Sequence, residues 1–138
     1  MTWLYNGQEF TEDMIGDNFG FVYLIYSDVS KKYYVGKKFF TRSKTKQVKG
    51  KKKKTRISSD WQAYFGSNAS LVEEVRDNGP EKYQRTILHL CKSRGECSYL
   101  ESKEIFSRDA LIRPDYFNQW ISCKIQRTHL KNLQQEIL

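Results

Sequence analysis

Phe21-Val22-Tyr23-Leu24-Ile25, then Ser27-Asp28-Val29-Ser30-Lys31-Lys32, then Tyr33-Tyr34-Val35-Gly36-Lys37-Lys38: this stretch decides the fold. Two apolar-aromatic runs flank a polar turn, which is the composition of a β-hairpin. Facing strands would bring the hydroxyls of Tyr23 and Tyr34 to a common surface.

Directly downstream the charge balance changes. The chain has 138 residues and a net charge of +8, yet residues 31–56 hold 13 of its 24 Lys and Arg and none of its acids. The other 11 cations stand against all 16 acids, a net of −5. The positive charge is therefore local, and each lysine that neutralises a phosphate would release a counterion, giving salt-sensitive, sequence-blind attraction to nucleic acid. The block lacks the interleaved large apolar residues of a membrane-surface helix. A single domain spanning 1–138 is expected from the length, with its core over about 20–122 and the basic insertion over about 39–56. No apolar run approaches ~18 residues, so no membrane span is read. The polar N-terminus shows no secretory pattern. Cys91, Cys97 and Cys123 match no zinc spacing and read as reduced thiols of a cytoplasmic protein.

Residues 1–18 read as an irregular or short helical lead-in, and Phe39 to Arg56 as a mobile loop around Gly50. Ser58-Ser59-Asp60-Trp61 suggests a helix start, and Ser70-Leu71-Val72-Glu73 a capping box for a second helix that Asn78-Gly79-Pro80 ends. Tyr83 to Cys91 reads as a third strand. Ser93-Arg94-Gly95-Glu96 opens a helix running to about Arg108, and Asn118-Gln119-Trp120-Ile121 reads as a last strand or turn. A C-terminal helical tail over about 124–138 carries Ile125, Leu130, Leu133 and Ile137 on one side. The order β-β-α-α-β-α predicts an α+β fold with a small, mainly antiparallel three-stranded sheet flanked by helices.

Glu101 is the carboxylate best placed for chemistry. Cys97 and Ile105 lie four residues to either side and Leu100 is adjacent, which puts the acid at the edge of a buried helix face. An unpartnered acid there is costly, and a bound cation would offset the cost. Magnesium needs few protein ligands, because water and substrate phosphate complete its octahedron. Glu104, one turn on, is the second candidate, with Arg108 as its partner. His89 and His129 have no motif partner and read as structural or surface residues.

Phe21-Val22-Tyr23 and Tyr34-Val35-Gly36 resemble the paired signature of the GIY-YIG nucleases, with Phe21 in place of the first glycine and Gly20 one residue upstream. Tyr99-Leu100-Glu101-Ser102-Lys103-Glu104-Ile105 resembles that family's glutamate helix, and Pro114-Asp115-Tyr116-Phe117-Asn118 its closing motif. Ser59-Asp60-Trp61 and Tyr64-Phe65-Gly66-Ser67-Asn68, with the lysine insertion, most resemble the phage-encoded Seg-like branch.

The resemblance implies a divalent-metal-dependent DNA endonuclease using one Mg2+ (or Mn2+) and leaving 5′-phosphate ends. Tyr23 would act as general base or orient the water, Tyr34 would position water or phosphate, Glu101 would hold the metal, and Asn118 would sit beside the phosphates. The family's arginine, about eight residues beyond the glycine, would fall near Lys44 or Arg42; if the lysine block precedes the first helix, Arg56 takes the part, and a fixed geometry favours Arg56. Lys37, Lys38, Arg42, Lys44, Lys51, Lys52, Lys53 and Lys54 would contact double-stranded DNA, and a homodimer would supply a site for each strand. The alternative is a non-catalytic nucleic-acid-binding module on the same scaffold, which Phe21 and the displaced arginine favour.

Overall fold

The computed structural model describes residues 2–122, 124 and 126–133. Strand β3 (Gly20–Ser27) is the axis of the molecule, buried on both faces along most of its length. It pairs antiparallel with β4 (Tyr33–Phe39) on one side and β7 (Tyr83–Cys91) on the other. The hairpin turn closes on Ser27, whose hydroxyl accepts from the amides of Val29 and Ser30 at 3.2 and 3.0 Å.

Of the irregular or short helical lead-in expected over residues 1–18, only the part from Glu12, a 3-10 turn over Glu12–Met14, fits; the residues before it form strands. Strands β1 (Trp3–Tyr5) and β2 (Gln8–Phe10) form a hairpin, and β1 runs parallel to β7 with Trp3 opposite Arg85. The sheet thus has five strands, in the order β2-β1-β7-β3-β4, and one parallel pairing. It is mainly antiparallel, as predicted, but two strands wider. Only Trp3 and Phe10 are buried in that hairpin, too few to show alternation in sequence.

The residues from Thr41 to Ser58 are a second hairpin, not a loop. Strands β5 (Thr41–Val48) and β6 (Lys51–Ser58) pair through eight residues each as a separate two-stranded ribbon. Lys49 and Gly50, at φ 53° and 77°, make its turn. Both central residues of a two-residue turn of this kind need positive φ, the requirement that usually selects Asn-Gly.

Beyond the ribbon, Trp61–Ala63 forms a 3-10 turn where a helix was expected. Helix α1 (Ala69–Asn78) starts two residues earlier than Ser70 as N-cap would set it: Asn68 is its N-cap, accepting from the Leu71 amide at 3.1 Å. Helix α2 (Arg94–Ser107) follows β7 with Ser93 as N-cap, as predicted. Residues 118–121 form no strand. The predicted C-terminal helix is seen in part, as a 3-10 turn over Arg127–Leu130 leading into helical residues 131–133; Ile125 and Ile137 lie outside the described residues.

The sheet has a core on each face. Phe21, Tyr23, Ile25, Phe40, Trp61 and Leu71 form the α1 side, and Val22, Val35, Cys91, Cys97, Leu100 and Ile105 the α2 side. Cys91 and Cys97 are buried free thiols, while Cys123 lies outside the described residues. Arg85 fixes the connection before α1. It donates to the carbonyls of Gln62 and Tyr64 at 3.0 and 2.7 Å and stacks on Trp3 and Phe65, and burial lowers its pKa to about 10.

Candidate active site

Strand parity determines which side chains can meet. Tyr23 lies opposite Gly36, and Tyr34 projects on the same face two residues earlier. Their ring centroids are 6.2 Å apart, and Tyr64 packs on Tyr23 at 6.0 Å. The register with β7 shifts by one residue between Val22 and Tyr23, where Leu88 is the extra residue on β7, so a β-bulge lies beside this tyrosine.

Lys37 and Glu101 belong to the opposite, α2 side. They reach the tyrosines because β4 is an edge strand, and a cleft of about 230 Å³ wraps around that edge. Tyr34 and Ser67 enter it from one face, Lys37 and Glu101 from the other, and Asn118 and Trp120 from the segment beyond. One tyrosine and the helix acid thus share a single cavity, with the second tyrosine buried directly behind.

The Tyr23 hydroxyl is wholly buried and has no hydrogen-bond partner among the described residues. Burial first, then the neighbouring Tyr64 and Tyr34, raises its pKa well above that of an ordinary phenol; the Glu101 charge acts the same way. Tyr23 is thus a neutral phenol with a hydroxyl proton to offer. Tyr34 shares a hydrogen bond of 2.9 Å with the Ser67 hydroxyl, and burial also raises its pKa.

Burial raises the Glu101 carboxyl as well, against the lowering effect of Lys37. The Lys37 ammonium is 3.4 Å from Glu101 Oε1 and 3.2 Å from Ser98 Oγ. Glu104 is differently employed: Arg108 Nε donates to it at 2.9 Å and His89 Nε2 lies 2.7 Å away. Burial alone would raise its pKa, and these two partners outweigh that and lower it. With both oxygens engaged, Glu104 is a structural acid and Glu101 the available one.

Two sequence-predicted site residues have other partners. Asn118 is buried and pairs twice with the edge of β4, accepting from Val35 N at 3.0 Å and donating to Val35 O at 2.9 Å. Its amide substitutes for a missing strand, continuing the parallel bridge of Tyr33 with Tyr116. It lines the cleft, and its two bonds to Val35 fix the amide in the cleft wall. Arg56 lies on β6, outside the residues lining the cleft. Its guanidinium donates to Thr41 Oγ1, Ser43 Oγ and Thr41 O at 2.8, 3.1 and 2.7 Å and sits over Phe19. It holds the ribbon's base together.

Arg42 is better placed than Arg56, lining with Lys37 and Lys38 a shallow pocket of about 180 Å³ that meets the cleft at Lys37. Lys38 pairs with Asp60 at 2.7 Å and lies over the Tyr64 ring. The sequence alone assigned no role to Tyr64, Ser67 or Trp120. A tyrosine and a serine three residues apart, flanking Gly66, gave a block to notice but no reason to choose within it.

The family model described as "Putative endonuclease segE, GIY-YIG domain" matches residues 3–121. The chain belongs to this GIY-YIG family. The match starts at β1, so the N-terminal hairpin is part of the GIY-YIG domain. No curated protein and no solved structure matches the chain. As a GIY-YIG domain of the SegE type, it is a nuclease domain. Tyr34 and the helix acid Glu101 line one cleft at the sheet edge, and Tyr23 packs behind Tyr34.

Proposed function

We propose that this protein is a DNA endonuclease that hydrolyses phosphodiester bonds with one divalent cation held by Glu101. The observation that carries the reading is the cleft at the β4 edge, where the half-buried Glu101 carboxylate from one sheet face meets Tyr34 from the other, with Tyr23 packed behind Tyr34.

The residues fit a single hard cation. Glu101 is the one acid among the described residues lining the cleft, so it would be the one carboxylate ligand. A Mg2+ or Mn2+ ion bound in this way takes its remaining positions from water and substrate phosphate. When bound, the cation supplies Lewis-acid stabilisation of the charge that develops on the phosphate.

The side chains divide the rest of the work. Tyr23 keeps its proton, which favours orienting the attacking water over removing a proton from it. Tyr34, tied to Ser67, positions water or a phosphate oxygen. Lys37 and Arg42 offer positive charge to the substrate phosphate, and Arg42 replaces Arg56 as the favoured arginine. Asn118 positions the wall of the cleft through Val35. Trp120, 74% exposed, offers a flat surface to a nucleobase flanking the scissile bond.

Supercoiled plasmid incubated with protein and Mg2+ or Mn2+ tests this. The wild type should nick or linearise it, and Glu101→Ala should bind without cutting. Cleavage by Glu101→Ala at the wild-type rate would reject the site; binding without cleavage by the wild type on varied substrates would favour the non-catalytic module.

A further inference from the structure

The register of the β5–β6 ribbon sorts its charges onto two unequal faces. Cross-strand partners share a face. Ser43, Thr45 and Gln47 therefore lie on one face with Arg56, Lys54 and Lys52, so each cation there stands opposite a neutral polar residue. Arg42, Lys44 and Lys46 lie on the other face with Ile57, Thr55 and Lys53, and Lys51 extends it at the tip. Here Lys46 is directly opposite Lys53, a like-charge pair that destabilises an isolated hairpin. Two-stranded hairpins without a packed face are marginal to begin with, and no acid lies anywhere between residues 31 and 56 to relieve the repulsion.

A polyanion against the second face would relieve it. At about 3.4 Å per residue the eight-residue strands reach about 27 Å, most of one turn of B-form DNA. The major groove of B-DNA admits a two-stranded β-ribbon. The crowded face also starts at Arg42, which borders the cleft through Lys37. We infer that the ribbon is a duplex-binding arm that lies in the major groove of B-form DNA beside the cleavage site, with the Arg42–Lys44–Lys46–Lys53–Lys51 face toward the phosphates and the Lys52–Lys54 face outward. The inference rests on the nuclease reading for its substrate, but concerns binding alone. A-form RNA is excluded as the preferred ligand by its deep, narrow major groove.

Two matched double variants test it: Lys46→Gln with Lys53→Gln, and Lys52→Gln with Lys54→Gln. Both remove two charges from exposed positions. Binding to a labelled DNA duplex is followed by anisotropy in EDTA over a series of salt concentrations. Each lost phosphate contact lowers the log–log salt slope by about 0.9. The first variant should lose about two contacts from the slope and at least tenfold in affinity, and the second should keep most of both. Equal losses in the two variants would overturn the one-faced arm, as would no loss in either. Double-stranded RNA competing as well as DNA would overturn groove insertion. Because metal is withheld, binding is read apart from cutting: a protein that binds this way yet leaves plasmid intact when Mg2+ or Mn2+ is supplied would refute the nuclease reading and leave the arm standing.

Discussion

The Tyr23 side chain occupies the space a β-carbon on Gly36 would need: a methyl there would contact the Tyr23 hydroxyl and come within 2.5 Å of Cζ. The glycine of the second signature triplet is thus the hole through which the first triplet's tyrosine reaches the sheet edge. Replacing Gly36 with Ala should displace the ring, cost about 1–3 kcal/mol of stability as an overpacked core does, and abolish cleavage. Thermal unfolding alongside the plasmid assay checks both; an Ala variant of native stability and full activity would refute the assignment of the glycine.

Tyr23 itself should show stability and activity pulling apart. Its buried hydroxyl has no partner among the described residues, and such a group costs about 1–3 kcal/mol. Tyr23→Phe is therefore expected to unfold at equal or higher temperature than the wild type while losing most of its cleavage. Loss of stability with retained cleavage would mean that the hydroxyl is structural.

Glu101 predicts a pH signature. Burial holds its carboxyl above the usual range in the folded protein, while the unfolded chain titrates near about 4.3. Between those two values the folded state binds the extra proton, so stability falls as pH rises through the window and the full penalty remains above it. Glu101→Gln should then be more stable than wild type at neutral pH, with the difference vanishing below about pH 4. It should also cut about a thousandfold more slowly, the scale expected when several kcal/mol of metal stabilisation are removed. Melting temperatures of the two proteins across pH 3–8 provide the comparison, and a constant offset across that range would count against burial as the cause.

The site was partly legible in the sequence because its key spacings are local. Tyr23, Tyr34 and Gly36 belong to one hairpin, and Glu101 declares its half-buried position through Cys97 and Ile105 on its own helix. The ribbon was not legible: it buries almost nothing, so hydrophobic alternation is absent, and its Lys49-Gly50 turn lacks the usual Asn or Asp. The partner of Asn118 is 83 residues distant. No local pattern shows that a turn asparagine will pair with the edge of β4 rather than face a phosphate. The same limit hid Arg56, whose hydroxyl partners face it only once β5 and β6 are in register.

Asn118 should therefore behave as a structural residue first. Truncation to Ala leaves Val35 N and O unpaired at a buried edge, a loss of about 1–3 kcal/mol, and it frees the segment carrying Trp120. Urea unfolding should reveal this deficit even without DNA or metal. A variant as stable as wild type but inactive would instead give the amide a direct part in the reaction.

Trp120 permits the most selective measurement. Trp3 and Trp61 are 2% and 3% exposed and Trp120 is 74% exposed, so acrylamide quenching of the native protein reports almost entirely on one residue. Because Trp120 lines the cleft with Glu101, a duplex seated for cleavage should cover it. Emission should change on DNA binding, acrylamide access should fall, and Trp120→Ala should weaken binding by about tenfold or more, the scale of one base–aromatic stack. If saturating DNA leaves both emission and quenching unaltered, the substrate does not cross the β4 edge, and the cleft is not where the phosphodiester is held.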